Sequence, residues 1–169
     1  DLTYTVFDTE TTGLAPSAGD EIIQIGATRI VAGKLRRQEC FEQLVDPQRS
    51  LPAAGAAIHG IEARMLRDQP TINTVLPAFH AFALDSVLVA HNAAFDMGFI
   101  HANSRRLKLT PPADATCTVQ LSKRLFPSER RHNLDAVCER LQLTVGTRHR
   151  ALADVELTAQ AFLRFQAML

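Results

Sequence analysis

The chain has 169 residues, of which 46% are hydrophobic and 21% are charged, and its formal net charge is zero. This composition suits one globular domain with a proper core. The zero net charge gives no global case for a polyanionic partner, and no apolar run approaches the length of a membrane span.

Three cysteines, Cys40, Cys117 and Cys138, are scattered along the chain without a CxxC pair. They indicate neither a disulfide framework nor a zinc site, and they fit a reducing, cytoplasmic location. The chain begins at Asp1, with no initiator Met and no signal-peptide pattern. We therefore expect residues 1–169 to form a single domain, cut from a longer protein or processed.

The first part of the chain predicts an antiparallel meander. Strands are expected over Thr3–Asp8, Glu21–Val31 and Leu35–Val45, with a turn at 32–34. Residues 51–60 are rich in Ala but contain Pro52 and Gly55, so any helix there should be short or broken.

The second part alternates helices with short strands. A strand is expected at Ser86–Ala90, and a brief one at Ala115–Thr118 leads into a helix that ends at Phe126. Further helices are predicted at Ile61–Arg67, Thr71–Leu84, Ala93–Leu107, Leu134–Leu141 and Arg150–Leu169, with N-caps at Thr71 or Asn73, at Asn92 and at Asn133. Pro77 should lie in the first turn of its helix or kink it. Together these elements predict an α/β fold with a mixed sheet and helices on both faces.

Two acids at the end of the first strand are the first candidates for chemistry. Side chains alternate along a strand, so Asp8 and Glu10 share one face if the strand extends through Glu10. Adjacent carboxylates raise each other's pKa, and a divalent cation between them is the usual remedy. On this stretch alone, a polar turn that happens to hold two acids is an equally good interpretation.

Two later acids change that balance. Asp96 and Asp154 each lie near the start of a predicted helix among apolar neighbours, and His149 lies just before the second helix. Four acids on three elements offer only oxygen ligands, which favour Mg²⁺ or Mn²⁺. Two such ions roughly 4 Å apart are a standard device for cleaving phosphodiesters, and a histidine can take a proton near neutral pH.

The charges are unevenly distributed. Residues 105–150 contain ten Lys or Arg against four Asp or Glu. An acidic portion beside a basic one is one sign of a metal site next to a phosphate-binding surface. Solvated helix faces are the better interpretation for most of six of these cations, namely Arg105, Arg106, Lys123, Arg124, Arg130 and Arg131.

The order of these motifs resembles the DEDDh family of 3′-5′ exonucleases, and most closely its proofreading subunits of bacterial replicative DNA polymerases. The matching segments are residues 7–14 (FDTETTGL), 91–96 (HNAAFD) and 149–154 (HRALAD), with smaller matches at 22–27, 59–61 and 132–135. The resemblance covers nearly the whole chain. It implies an RNase H-like fold with a five-stranded sheet, in which three antiparallel strands precede the parallel ones.

The resemblance also implies roles for individual residues. Two Mg²⁺ or Mn²⁺ ions would be held by Asp8, Glu10, Asp96 and Asp154, with His149 as the general base. The terminal nucleotide would be contacted by Thr9, Leu14, His59, Asn92 and Phe95, for which Leu14 and Phe95 offer apolar faces. Arg148, Arg150 and the basic segment are candidates for the backbone of the strand.

The implied reaction releases nucleoside 5′-monophosphates from a single-stranded 3′ end, with DNA favoured over RNA. A DNA polymerase, or further domains of a longer chain, are the expected partners. An exoribonuclease acting on RNA ends and a non-catalytic nucleic-acid-binding module are the two alternatives. Residues 120–126 loosely resemble a sliding-clamp-binding peptide, but they fall in a predicted helix, so we reject that interpretation.

Overall fold

The sheet is built around a central strand that continues further than its apolar residues suggest. A computed structural model describes residues 2–169. Its strands are β1 (Thr3–Thr11), β2 (Ile22–Val31), β3 (Lys34–Leu44), β4 (Val87–Ala90) and β5 (Thr116–Cys117), in the order β3-β2-β1-β4-β5. Strands β1, β2 and β3 are antiparallel neighbours, whereas β4 lies parallel to β1 and β5 lies parallel to β4. The predicted mixed five-stranded sheet is therefore confirmed.

Seven helices accompany the sheet in residues 2–169. They are α1 (Ala53–His59), α2 (Ala63–Leu66), α3 (Ile72–Ala83), α4 (Ala93–Arg106), α5 (Thr118–Leu125), α6 (Leu134–Arg140) and α7 (Ala151–Met168), and a single 3₁₀ turn lies at Pro16–Ala18. No helix in this part of the chain is both long enough and apolar enough to cross a membrane.

Alternate residues of β1 point into two different cores. Phe7 packs with buried residues of α3 and α4, including Phe79 and Phe99. Val6 packs on the other face with Val155 and Phe162 of α7. Because of this alternation, the odd-numbered residues of β1 face α3 and α4, and the even-numbered residues face α7.

The helix starts and interruptions differ in detail from the predictions. Asn133 caps α6 as expected, since its side chain accepts a hydrogen bond from the backbone N–H of Ala136 (2.9 Å). Asn92 and Thr71 occupy the N-cap positions of α4 and α3 without a side-chain cap hydrogen bond, and Asn92 is left-handed (φ 65°). Pro77 is the sixth residue of α3, beyond the first turn, and the helix continues past it to Ala83.

Candidate active site

Three of the four predicted acids come together at the end of β1. The strand extends through Glu10, so Asp8 and Glu10 both face α7. Asp154 is the fourth residue of α7, and each of these three carboxylates offers an oxygen within 4.8 Å of the others. The alternation predicted for Asp8 and Glu10 therefore holds, and the third acid arrives from 144 residues further along the chain.

A glycine in the neighbouring strand lets α7 begin so close to the acids. Gly26 of β2 pairs with Asp8 across the sheet. A Cβ placed on Gly26 would lie 2.9 Å from Cβ of Ala151 and from the backbone of Leu152. The first turn of α7 therefore rests directly on the bare backbone of β2, and Asp154 follows within that turn.

The fourth acid reaches the site by a different route. Asp96 is the fourth residue of α4, which packs on the opposite face of the sheet, and it is buried. Its Oδ1 accepts hydrogen bonds from the backbone N–H (3.2 Å) and the hydroxyl (2.5 Å) of Thr9. Thr9 faces α4 from between Asp8 and Glu10, so it ties Asp96 to the strand that holds the other acids.

Burial and mutual repulsion disfavour the charged forms of these acids. Burial raises the pKa of Glu10 to about 8, and the charges of Asp154 and Asp96 add to the rise. Burial raises the pKa of Asp96 to about 7 despite the hydrogen bonds from Thr9, which lower it. The pKa of Asp8 is raised well above its usual value by burial, and then by the charges of Asp96, Glu10 and Asp154. Four carboxylates here need more positive charge than the side chains supply.

Only one cation of residues 2–169 pairs with any of these carboxylates. Arg148 forms an ion pair with Asp154 and a second one with Asp135 (2.5 Å). One guanidinium does not neutralise four acids, and the clustered oxygens match the hard-ligand preference of Mg²⁺ and Mn²⁺. The donor set, its spacing and the raised pKa values all fit divalent cations bound at this site.

His149 is linked to the acids through its backbone. Its N–H donates to Oδ1 of Asp154 (3.1 Å), and the residue is left-handed (φ 63°). The imidazole is exposed. Its role as the general base stays a prediction.

The predicted nucleotide-binding residues are distributed over several surfaces. Asn92 lines a cleft of about 520 Å³ together with Asp8 and Asp154. Leu14 is 83% exposed at the tip of the loop after β1. That tip is held by Asp20, whose carboxylate would lie 2.4 Å from a Cβ on Gly13, so close approach rather than an unusual backbone angle accounts for this glycine.

The other three predicted residues have structural partners. Thr9 holds Asp96, as described above, and Phe95 packs against Phe99 with ring centroids 5.3 Å apart. His59 is buried and lines a separate hollow with Gln24 and Arg150. Its Nδ1 accepts a hydrogen bond from the N–H of Ile61 (3.0 Å), whereas its buried Nε2 finds no partner within residues 2–169.

The wall of the cleft contains three cations proposed for the backbone of the strand, and two histidines that had no assigned role. Lys123, Arg130 and Arg148 are among its lining residues. His91 and His132 line the same cleft. His91 Nε2–H donates to the carbonyl of His132 (2.9 Å), and burial lowers the pKa of His91 to about 4, which keeps it neutral. His91 and His132 are the first residues of the matching segments 91–96 and 132–135. Those matches are the sequence feature that could have identified them.

A second overlooked residue is Asp135 of α6. It contacts Arg148, which contacts Asp154, so it belongs to the site although its own side chain is 60% exposed. Its signal was the short match at residues 132–135, which assigns no function to it.

A cluster of acids in a cleft at the end of the central strand of such a sheet is typical of nucleases. The family model for exonucleases matches residues 5–162. The chain is also similar to a DNA polymerase III subunit epsilon-like protein of Rhodobacter capsulatus. The two are 47% identical over 165 residues, which is 96% of this chain but 23% of that relative's length.

Two solved structures have the same fold over almost the whole chain. Exonuclease X in complex with 5′ overhanging duplex DNA is 29% identical, with a TM-score of 0.78, covering 98% of this chain and 92% of that one. The nuclease domain of 3′hExo, a DEDDh family member bound to rAMP, is 18% identical, with a TM-score of 0.84, and covers 98% of this chain and 92% of that one. The chain belongs to the exonuclease family, and it is a 3′-5′ exonuclease domain.

Proposed function

We propose that this domain shortens single-stranded DNA from its 3′ end, one nucleotide at a time, by cation-dependent hydrolysis. The observation that carries the proposal is the cluster of Asp8, Glu10 and Asp154, whose oxygens lie within 4.8 Å of one another. Asp96 completes the set through Thr9. Carboxylates this close together gain stability when they share divalent cations.

The cations would be held by Asp8, Glu10, Asp96 and Asp154. When bound, two divalent ions activate a water and stabilise charge on the attacking and leaving oxygens. Asp8 and Glu10 are held by the central strand, and Asp154 and Asp96 by the first turns of α7 and α4. The four proposed cation ligands thus lie on three rigid elements. Rigid ligands would hold the cations, and through them the phosphodiester, in a fixed position for attack.

His149 would take the proton from the attacking water. Its imidazole is exposed and its backbone is fixed to Asp154, so a solvent-side ring is available next to the acids. Histidine is the side chain that most often serves as a general base.

The DNA strand would follow the basic wall of the cleft. Lys123 and Arg130 line the cleft with Asp8 and Asp154. Phosphate contacts suit an enzyme that must accept every base, because they carry no sequence information. Leu14 and Phe95 would offer apolar faces to the terminal base, and Asn92 would offer hydrogen bonds. The contacts of Thr9 and His59 with the terminal nucleotide stay predictions from the sequence.

The preference for DNA rests on the resemblance to a polymerase subunit and on the DNA-bound structural relative. Trimming rates on DNA and RNA oligomers of equal length and sequence test it. Faster trimming of the RNA oligomer would show that RNA, and not DNA, is the preferred substrate. A polymerase partner, a longer parent chain and a cytoplasmic location stay predictions.

The function itself is tested with a 5′-labelled single-stranded oligonucleotide and Mg²⁺. We expect a ladder of products shortened from the 3′ end, which vanishes in EDTA and in Asp8→Ala. Asp114→Ala is the matched control, because Asp114 is an exposed acid outside the cleft. Equal trace activity in the wild type and in Asp8→Ala would leave a non-catalytic binding module as the function.

A further inference from the structure

A relay of three charged side chains connects the exposed surface of α6 with the acidic cluster. Nε of Arg148 donates to Oδ1 of Asp135 (2.5 Å), and a second guanidinium nitrogen donates to Oδ1 of Asp154. The side chain of Arg148 is 17% exposed, and that of Asp135 is 60% exposed. The guanidinium is therefore clamped between two carboxylates, one at the protein surface and one inside the cleft.

The two oxygens of Asp154 are used differently. Oδ1 receives both Arg148 and the backbone N–H of His149. Oδ2 accepts no hydrogen bond within residues 2–169, and it is not among the enclosed polar atoms that lack a partner. Oδ2 therefore reaches the surface of the cleft, on the carboxylate that clusters with Asp8 and Glu10.

We propose that Asp135 and Arg148 are positioning residues for the cation site. Asp135 fixes the guanidinium of Arg148, which occupies Oδ1 of Asp154 and turns Oδ2 toward Asp8 and Glu10. The relay also holds the backbone at His149, because the guanidinium of Arg148 and the N–H of His149 both donate to Oδ1 of Asp154. Groups that hydrogen-bond to a metal-binding carboxylate commonly orient it in this way. This inference rests on the cation site proposed above.

Simple electrostatics makes the opposite prediction for Arg148. A positive charge beside the cluster repels a divalent cation and competes for Asp154, so its removal alone would tighten cation binding. Orientation by the relay predicts weaker binding instead. The direction of the change therefore separates a positioning residue from a competing counter-ion.

The experiment measures Mn²⁺ affinity by isothermal titration calorimetry, with no substrate present. We expect Arg148→Gln to weaken Mn²⁺ binding by about 10-fold or more, in the range found for groups of this kind. Asp135→Asn should act in the same direction but less strongly. The double variant should bind Mn²⁺ no more weakly than Arg148→Gln alone, since Asp135 acts through Arg148.

Conservative and matched variants complete the design. Asp135→Glu keeps the ion pair and should retain near wild-type affinity. Glu139→Gln removes the same charge from the same helix without touching Arg148, so it should leave Mn²⁺ affinity unchanged. Thermal melting in EDTA should show little change for Asp135→Asn, because exposed ion pairs add little stability.

Two outcomes would overturn the inference. Tighter Mn²⁺ binding by Arg148→Gln would make Arg148 a competing counter-ion. Equal losses of Mn²⁺ affinity in Asp135→Asn and Glu139→Gln would show that Asp135 acts only through its charge and not by positioning Arg148. A wild-type domain that binds no Mn²⁺ would instead refute the proposed function, so the two failures are distinguishable.

Discussion

Gly26 of β2 and Ala151 of α7 meet where no side chain fits between strand and helix. A Cβ on Gly26 would lie 2.9 Å from that of Ala151. Gly26 pairs with Asp8, and Asp154 follows Ala151 by three residues. The separation between these two acids therefore depends on a missing methyl group.

Gly26→Ala should push the start of α7 away from the sheet. We expect a loss of about 1–3 kcal/mol in the free energy of unfolding, typical of overpacking. We also expect weaker Mn²⁺ binding, because Asp154 moves away from Asp8. Urea unfolding and calorimetry measure the two effects.

Gly98→Ala is the control for this variant. A Cβ at Gly98 meets only Pro16 at 4.0 Å, and the residue lies within α4. Alanine there should stabilise the protein by roughly 0.5–1 kcal/mol. A Gly26→Ala protein as stable as the wild type would show that α7 accommodates the methyl group without moving.

Stability of the cation-free domain should depend on pH in an unusual direction. The pKa of Glu10 is about 8 and that of Asp96 about 7 in the folded protein, against ordinary values of 4.5 and 3.8. At pH values between the ordinary and the raised pKa of each group, the folded state therefore binds more protons than the unfolded state. The free energy of unfolding should fall as pH rises from about 4.5 to about 8.

Melting curves in EDTA test this dependence. Tm should fall between pH 5.5 and pH 8, with about 2–4 °C lost for each kcal/mol. Glu10→Gln should flatten the profile because it removes one of the titrating groups. Mn²⁺ should raise Tm more at pH 8 than at pH 6, since the cations compete with protons. A Tm independent of pH would contradict the raised pKa values.

The hydroxyl of Thr9 should matter for Asp96 rather than for the sheet. Thr9→Val keeps the shape of the side chain and removes the 2.5 Å hydrogen bond to Asp96. Hydrogen bonds to charged groups are worth about 1.5–3 kcal/mol, so at a pH that keeps Asp96 charged the loss of stability should lie near this range. Thr9→Ser restores the donor and should recover most of it. Equal stability of the Val and Ser variants would contradict this role.

His149→Ala should separate proton transfer from cation binding. Only the backbone N–H of His149 contacts Asp154, so the acids keep their partners when the imidazole is removed. Turnover should fall by about 10²–10⁴-fold, as for loss of a general base. Mn²⁺ affinity should stay near that of the wild type, and its loss would make His149 a ligand or a structural support.

Much of the site could be predicted because it follows local periodicity. The period of two along β1 placed Asp8 and Glu10 on one face. Asp96 and Asp154 were recognisable as acids near helix starts among apolar residues. The end of β1 was placed too early, at Asp8, because residues 9–11 lack the apolar pattern that indicates a strand.

Other features depend on contacts between distant segments and leave no local pattern. The closeness of Gly26 to Ala151 and the ion pair of Asp135 with Arg148 join residues brought together only by folding. Asn92 has a good capping side chain, yet its left-handed backbone prevents that use. His149 is likewise left-handed, and its side chain is exposed.

The proposed cation ligands Asp8 and Glu10 and the proposed proton acceptor His149 lie on segments of different local stability. Asp8 and Glu10 lie on the central strand, hydrogen-bonded on both sides along part of its length, whereas residues 142–150, which carry His149, form neither helix nor strand. Segments of that kind open locally far more often than central strands. Amide exchange should thus be fast around His149 and slow along β1. The acids should then keep their register through many local openings of the segment that carries His149.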